Sequence, residues 1–302
     1  MNIVFFANGK FAIPTIKELH LSDNNLLKVV SNTDKRGGRG KKIISTPVSK
    51  FCKDSNIPLL NIDNLHSDTF LNDLKKLKAD IFIVVSYKII PEKIYSIPRY
   101  KTINIHASLL PSYKGAAPIQ RSLENGEENI GLSIFEITTK VDSGKIINQK
   151  SFKIKSDDTY SDIHDLLSIK AADFLIKTLP IVKEGKVKTI GNLEPSFAPK
   201  IKKNELKISL NNSSFIIHNK FRAFTPPGGY LYFDNKKIKI FKTNFNKDNS
   251  LSIGEWAIDD KILHIGCKEG CLLVQEVQFE GKKRITVSDF KNSNKNEKIK
   301  FE

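Results

Sequence analysis

The sequence predicts an α/β chain in which a Rossmann-like, mostly parallel sheet is followed by a small β-barrel. Near-continuous apolar runs such as Ile81–Val85 alternate with helical patterns, an order typical of parallel strands joined by crossover helices. After Pro226, short strand patterns are separated by turn residues, which is typical of a small barrel. The length of 302 residues exceeds one average domain and therefore favours two.

The chain begins with a strand, a turn and a helix that lead into a second strand. Asn2–Phe6 has the pattern of a buried strand, Ala12–Leu21 that of a helix and Leu26–Ser31 that of another strand, so a right-handed parallel crossover is expected. The turn at Ala7–Lys10 contains Gly9 but lacks the three-glycine dinucleotide pattern. The sequence therefore gives no indication of an NAD site.

The same alternation continues to about residue 190, and we expect residues 1–190 to form one domain. Helices are expected at Pro47–Asp54, at Thr69–Leu77, from Pro118 to Leu123 and over Tyr160–Lys177. Strands are expected at Leu59–Ile62, Ile81–Val85, Lys101–His106, Gly131–Ile137 and Lys145–Ile154.

A linker at residues 191–205 is expected to join this domain to a second one at 206–302. A helix is expected at Ser213–Phe224 and a turn at Thr225–Gly229. Trp256 is expected in the barrel core, and the polar tail after Asp289 is expected to fray. The barrel strands are expected at Tyr230–Phe233, Lys237–Thr243, Glu255–Asp259, Ile262–Cys267 and Cys271–Phe279.

The chain is strongly basic, with 49 Lys and Arg against 33 Asp and Glu and a net charge of +16. Residues 200–302 carry 20 Lys and Arg against 12 Asp and Glu, which is half of the surplus charge in about a third of the chain. An anionic partner such as nucleic acid would explain this charge. A generally lysine-rich composition is the alternative.

Cysteine use and hydropathy predict a cytoplasmic protein without a structural metal. Cys52, Cys267 and Cys271 are too few and too irregularly spaced for a disulfide framework, and Cys267 and Cys271 have no second pair for zinc. No basic leader precedes the first strand, and no apolar run is long enough to span a bilayer. A membrane partner is therefore not expected.

The candidate site lies where two predicted strands end. Polar and apolar residues alternate in Lys101–His106, so Asn104 and His106 share one face, while Asp142 follows the strand that begins at Gly131. An amide and an imidazolium can stabilise an oxyanion while a carboxylate orients the imidazole, which suits acyl transfer to an amine. Taken singly, the three residues have ordinary alternatives as a turn cap, a packed histidine and an Asx-turn.

A glycine-rich basic segment, Thr33–Lys42, lies before the second helix. It has three glycines and five basic residues, which are Lys35, Arg36, Arg39, Lys41 and Lys42. Glycine keeps such a segment mobile while the cations contact successive phosphates, so the end of a nucleic acid is a candidate ligand. A solvated loop is the alternative.

Three motifs together resemble the signature of the 10-formyltetrahydrofolate-dependent formyltransferase family. They are Asn104-x-His106-x-Ser108-Leu-Leu-Pro111, the run Tyr113–Arg121 and Asp142-x-Gly144. The resemblance implies a catalytic trio of Asn104, His106 and Asp142. It also implies that the folate packs against Ser108, Leu109, Leu110 and Pro111.

The resemblance extends to the rest of the chain. It implies a second folate-lining loop at Ser86, Tyr87, Lys88 and Ile89, where Lys88 replaces the family's usual glycine and the loop is one residue shorter before Pro91. It further implies that the C-terminal barrel is OB-like. The folate, 10-formyltetrahydrofolate, would be a co-substrate, with no cofactor bound permanently.

The resemblance also implies the acceptor. Gly38–Lys42 resembles a loop that members acting on methionyl initiator tRNA insert toward the acceptor end, so the expected reaction formylates the α-amino group of methionine on that tRNA for translation initiation. A monomer is expected. One alternative is a formyltransferase for a sugar amine or for glycinamide ribonucleotide, which would not need the basic loop. The other is a non-catalytic RNA-binding protein with the same fold.

Overall fold

The computed structural model describes residues 1–37, 42–186, 194–248, 250–259, 261–293 and 300–302. The chain forms two compact units, which are described separately below. Unit 1 contains Met1–Gly115, Gly131–Phe152 and His164–Phe197. Unit 2 contains Ala116–Ile130, Lys153–Ile163 and Ala198–Glu302.

Strands and helices are numbered in chain order. The strands are β1 Asn2–Ala7, β2 Asn25–Ser31, β3 Lys35–Gly37, β4 Lys42–Ile44, β5 Leu59–Asn61, β6 Ile81–Val85, β7 Thr102–His106, β8 Asn129–Glu136, β9 Ile146–Lys153, β10 Tyr230–Phe233, β11 Lys236–Asn246, β12 Trp256–Asp259, β13 Ile262–Gly266, β14 Cys271–Phe279 and β15 Ile285–Thr286. The helices are α1 Ile13–Leu21, α2 Pro47–Asp54, α3 Asp68–Lys76, α4 Glu92–Tyr95, α5 Pro118–Glu124, α6 Tyr160–Lys183, α7 Ser214–Ala223 and α8 Val287–Ser293. Within the described ranges, no helix is both long and apolar enough to cross a membrane.

Unit 1 is organised by a seven-stranded sheet in the order β5-β2-β1-β6-β7-β8-β9. The pairs β2/β5, β1/β2, β1/β6 and β6/β7 are parallel. All five residues of β6 are buried, as expected for a central strand covered on both faces. The predicted Rossmann-like, mostly parallel α/β architecture is confirmed.

The direction of β8 differs from that of its neighbour. β8 runs antiparallel to β7, with Glu136 opposite Ile103 and Ser133 opposite His106. The C-terminal end of β8 therefore lies beside the start of β7, so the expectation that the two strand ends meet is wrong. Residues 137–145 instead return along the sheet and bring Asp142 to His106.

Two helical or loop assignments also differ from the sequence expectation. Helix α6 ends at Lys183 rather than Lys177, because Leu179 and Val182, on either side of Pro180, are both buried. The ends of the basic segment are extended: β3 and β4 pair as an antiparallel ladder. Residues 38–41, which contain Arg39 and Lys41, lie outside the described residues.

Unit 2 contains a six-stranded antiparallel sheet in the order β10-β11-β14-β13-β12, with β15 on β14. The expected C-terminal β domain is confirmed as an antiparallel sheet, accompanied by helices α7 and α8. Trp256 is buried, with its ring centroid 6.0 Å from Phe233 and 5.7 Å from Phe290, so its expected place in the core is also confirmed.

The expected fraying after Asp289 is wrong for the residues up to Ser293, which belong to α8. Phe290 is fully buried, and its ring contacts Phe233 at 5.4 Å and stacks on Phe279 at 6.0 Å. Burying an aromatic side chain outweighs the polar composition of the segment around it.

We expect Phe290→Ala to lower the free energy of unfolding by about 3–5 kcal/mol, because the substitution leaves a cavity among four aromatic neighbours. Urea denaturation followed by circular dichroism measures this change. Lys291→Ala, at an exposed position of the same helix, should change it by less than about 0.5 kcal/mol. Equal effects of the two substitutions would contradict the role assigned to Phe290.

Candidate active site

Asn104 and His106 lie at the C-terminal end of β7, in the middle of the unit 1 sheet. His106 is 8% exposed and Asn104 is half-buried. The side-chain amide of Asn104 makes no hydrogen bond to any residue that the structure describes, so its two hydrogens are available to a ligand.

A backbone carbonyl fixes the tautomer of His106. Nε2 lies 2.9 Å from the carbonyl oxygen of Tyr113, and because a carbonyl only accepts, Nε2 must carry the hydrogen. The neutral ring then has its free lone pair on Nδ1. Nδ1 lies 3.8 Å from Asp142 Oδ2, so a proton taken up at Nδ1 would be close to a carboxylate.

Asp142 is held by the same turn that contacts His106. Its Oδ2 accepts the Gly115 N–H at 2.8 Å, and its backbone has a φ of 47°, a left-handed conformation that aspartate adopts more readily than most residues. Tyr113 and Gly115 therefore fix the imidazole and the carboxylate from one short turn.

The turn at residues 113–115 is hydrogen-bonded to Ser196, which belongs to unit 1 but is distant in the sequence. The Tyr113 N–H donates to Ser196 Oγ at 2.9 Å and the Lys114 N–H donates to the Ser196 carbonyl at 2.9 Å. Phe197, paired with Lys114 in a parallel bridge, is 73% exposed. Sequence reasoning placed Ser196 and Phe197 in or near a linker and did not identify them with the site.

The four residues of the expected folate loop differ in exposure. Ser108 and Leu110 are 1% and 2% exposed, whereas Leu109 and Pro111 are half-buried. Ser108 Oγ donates to the Ser112 carbonyl at 2.7 Å, which closes the loop. A ligand can therefore reach Leu109, Pro111 and backbone atoms more readily than the side chains of Ser108 and Leu110.

The second expected folate loop follows β6. Ile89 is 80% exposed and Ser86 is exposed, whereas the hydroxyl of Tyr87 is buried without a partner among the described residues. Burial raises the pKa of Tyr87, and nearby Asp63 raises it further. Lys88 Nζ donates to the Asp63 carbonyl. Burial lowers the pKa of Lys88, against the opposite effect of Asp63.

Hydrogen bonds and an ion pair anchor the first residues of the basic segment. Thr33 donates from its backbone and its hydroxyl to the carboxylate of Asp63, and Lys53 Nζ contacts Asp34 at 2.8 Å. Lys35 is exposed on β3. Arg36 and Lys42 are placed by their strands alone, and the other two expected contacts, Arg39 and Lys41, fall outside the described residues.

Two protein-family models match this chain, and together they cover most of it. A family model described as "Formyl transferase" matches residues 1–179, and one described as "Formyl transferase, C-terminal domain" matches residues 200–295. The chain belongs to the formyl transferase family. Asn104, His106 and Asp142 all lie within the first of the two matches.

This formyl transferase resembles curated relatives along its whole length. It is 37% identical to the methionyl-tRNA formyltransferase of Hydrogenobaculum sp. (strain Y04AAS1), with 100% of each chain covered. It is 36% identical to the protein of the same name from Sulfurihydrogenibium sp. (strain YO3AOP1), with 96% of each covered.

Solved structures share the fold of this formyl transferase at lower identity. The N-formyltransferase from Helicobacter canadensis has a TM-score of 0.67 and 18% identity, over 94% of this chain and 99% of the other. HypX from Aquifex aeolicus has a TM-score of 0.65 and 15% identity, over 97% of this chain and 47% of the other. At these identities the likeness concerns the fold alone.

We expect Asp142→Asn to lower kcat for formyl transfer by at least about 10²-fold, because an amide cannot stabilise the charge of an imidazolium at His106. Equilibrium binding of the folate should remain unchanged. Steady-state kinetics and folate titration measure the two quantities, and Lys140→Ala, an exposed substitution in the same loop, serves as the control. Near-normal turnover by Asp142→Asn would exclude Asp142 from the mechanism.

Proposed function

We propose that this formyl transferase is a methionyl-tRNA formyltransferase. It would transfer the formyl group of 10-formyltetrahydrofolate to the α-amino group of methionyl initiator tRNA. The observation that carries the proposal is the end-to-end match, at 36–37% identity, to relatives with that name. In this proposal residues 1–190 form the catalytic domain, 191–205 the linker and 206–302 the tRNA-binding domain.

The site supports a mechanism without a covalent enzyme intermediate. The amine attacks the formyl carbon, and the amide hydrogens of Asn104, which have no partner among the described residues, would stabilise the resulting oxyanion. The proton leaving the amine would be taken up at His106 Nδ1, since Nε2–H is committed to the Tyr113 carbonyl.

Asp142 would then stabilise the imidazolium across 3.8 Å. The charged ring would also help to stabilise the oxyanion. As the intermediate collapses, the bond between the formyl carbon and the folate nitrogen breaks, and that nitrogen receives a proton. The proton on His106 is available for this step, so the site returns to its starting state.

The folate would lie against two loops of unit 1. We propose Ser108, Leu109, Leu110 and Pro111 on one side and Ser86, Tyr87, Lys88 and Ile89 on the other. The 80% exposure of Ile89 supports this placement, because an exposed apolar side chain is suited to contact with a ligand. The folate is consumed as a co-substrate.

The acceptor can be tested directly against its rivals. The protein is supplied with 10-formyltetrahydrofolate carrying a labelled formyl group and with charged initiator tRNA, a dTDP-linked amino sugar or glycinamide ribonucleotide. We expect label in the tRNA, at a kcat/KM at least ~10³-fold above that for either small amine. Only the tRNA has a phosphate backbone long enough to contact both the basic segment and the lysines of unit 2. Preferential labelling of a small amine, or no transfer at all, would overturn the proposal.

Unit 2 carries a surface suited to an RNA backbone. On its outer sheet face, Lys237 Nζ lies 4.1 Å from the ring centre of Tyr230, and Lys207 Nζ lies 5.0 Å from that of Tyr232. Lys239 is opposite Tyr230 on the neighbouring strand. Among the described residues, none of these three lysines has an ion-pair partner, so their charges are available to phosphate while the rings can stack on bases.

The basic segment would contact the acceptor end of the same tRNA. Lys35, Arg36, Arg39, Lys41 and Lys42 are the residues proposed for this contact, and the anchoring of Thr33 to Asp63 supports it by fixing where the segment begins. Arg39 is the strongest candidate, because a guanidinium can bind a phosphate with two parallel hydrogen bonds. We propose that the protein acts as a monomer.

The combined substitution Lys237→Ala with Lys239→Ala should raise the Kd for charged tRNA by roughly tenfold and reduce the slope of log K against log salt by about 2, since each lysine would neutralise one phosphate. Folate affinity should stay constant. Titration at several salt concentrations measures the slope. The control is Lys17→Ala with Lys75→Ala, which removes two exposed charges from unit 1. An unchanged slope would remove this surface from tRNA binding.

A further inference from the structure

Two residues that carry none of the expected chemistry fix the loop 108–112. Ser133 on β8 is fully buried, and its hydroxyl donates to the Ser108 carbonyl at 2.7 Å and accepts the Leu110 N–H at 3.0 Å. Gln149 on β9 donates from Nε2 to the Leu110 carbonyl at 2.7 Å and to Ser133 Oγ at 2.9 Å. Both backbone groups of Leu110 are thus held by side chains from neighbouring strands.

The hydrogen-bonding capacity of this cluster is almost completely used. A serine hydroxyl has one hydrogen and two lone pairs, and Ser133 uses the hydrogen on Ser108 and the lone pairs on Leu110 and Gln149. Both amide hydrogens of Gln149 are also used. Because these bonds are buried or half-buried, the loop cannot shift without leaving polar groups unpaired.

Side-chain packing against Gly131 of β8 also restricts the loop 108–112. A Cβ atom placed on Gly131 would lie 2.3 Å from Leu109 Cδ2, so the side chain of Leu109 occupies the space that a larger residue at this position of β8 would need. Three successive residues of the loop are therefore restrained. Hydrogen bonds from Ser133 and Gln149 hold Ser108 and Leu110, and Leu109 packs against Gly131.

We infer that Ser133 and Gln149 are positioning residues that set the affinity of the site for its folate co-substrate without taking part in proton transfer. The inference rests on the proposed function, in which the loop 108–111 lines the folate site. Ser133 cannot touch a ligand because it is fully buried. Its effect must pass through the backbone of Ser108 and Leu110, which a rigid site requires in one position.

Other residues hold the catalytic trio in place. An effect on folate binding can therefore be distinguished from an effect on the chemical step. His106 and Asp142 are held by Tyr113 and Gly115, which do not contact Ser133 or Gln149 by hydrogen bonds among the described residues. Releasing the loop should therefore weaken folate binding more than it slows the chemical step at saturation.

The test compares adjacent amides on β9. Gln149→Glu removes the hydrogens that reach the loop and places a carboxylate against the Leu110 carbonyl. Asn148→Asp is the matched control: Asn148 Nδ2 donates to the buried Thr178 hydroxyl at 3.1 Å, so the same change of amide to carboxylate removes a bond that does not involve the loop. Ser133→Ala provides a second, uncharged variant.

The Kd for 5-formyltetrahydrofolate, a stable probe, is measured by calorimetry on the full chain, together with kcat and KM for 10-formyltetrahydrofolate. We expect Gln149→Glu and Ser133→Ala to raise both folate constants by about tenfold while kcat at saturation changes by less than about threefold. Asn148→Asp should leave the folate Kd within about twofold of the parent. Thermal denaturation identifies any variant that has not folded.

Two results would overturn the inference. One is an unchanged folate Kd in folded Gln149→Glu and Ser133→Ala. The other is an equal rise in Asn148→Asp, which would mean that any loss of a buried amide on β9 has the same effect. Failure of the proposed function has a different signature, because the parent protein itself would then not transfer the formyl group of 10-formyltetrahydrofolate to charged initiator tRNA, whatever the folate Kd of the variants.

Discussion

The hydrogen bond between His106 Nε2 and the Tyr113 carbonyl is the interaction on which the site depends. It selects one tautomer, and by doing so it directs the basic nitrogen of the ring toward Asp142. Two residues further along the chain, the Gly115 N–H holds the carboxylate. His106 hydrogen-bonds to one backbone group and Asp142 to another. The orientation of each side chain therefore does not depend on the contact between them, in which nitrogen and oxygen lie 3.8 Å apart.

The positions of Ser133 and Asp142 in the site depend on the direction of β8. In a fully parallel sheet the residue after β8 would arrive beside His106 directly, and no return segment would be needed. Because β8 is antiparallel to β7, its side chains instead lie opposite the end of β7, with Ser133 across from His106. The same reversal thus brings Ser133 under the loop 108–112 and leaves Asp142 to arrive by residues 137–145.

The sequence predicted the parts of the fold and site that depend on local pattern. Apolar runs identified the central strands, and alternation placed Asn104 and His106 on one face of β7. The direction of β8 could not be predicted, since it depends on pairing with another strand. Ser196 was missed because its contact with Tyr113 spans 83 positions. Helix α8 was missed because one buried aromatic, Phe290, decides it within a polar segment.

The single tryptophan of the chain, Trp256, lies in the aromatic core of unit 2. Unit 1, which holds Asn104, His106 and Asp142, contains no tryptophan at all. Intrinsic indole emission therefore reports on the environment of only one of the two units, whereas tyrosines are present in both. Excitation that selects tryptophan follows the melting of unit 2 by itself, and comparison with a whole-chain signal reveals whether the two units unfold together or in separate steps.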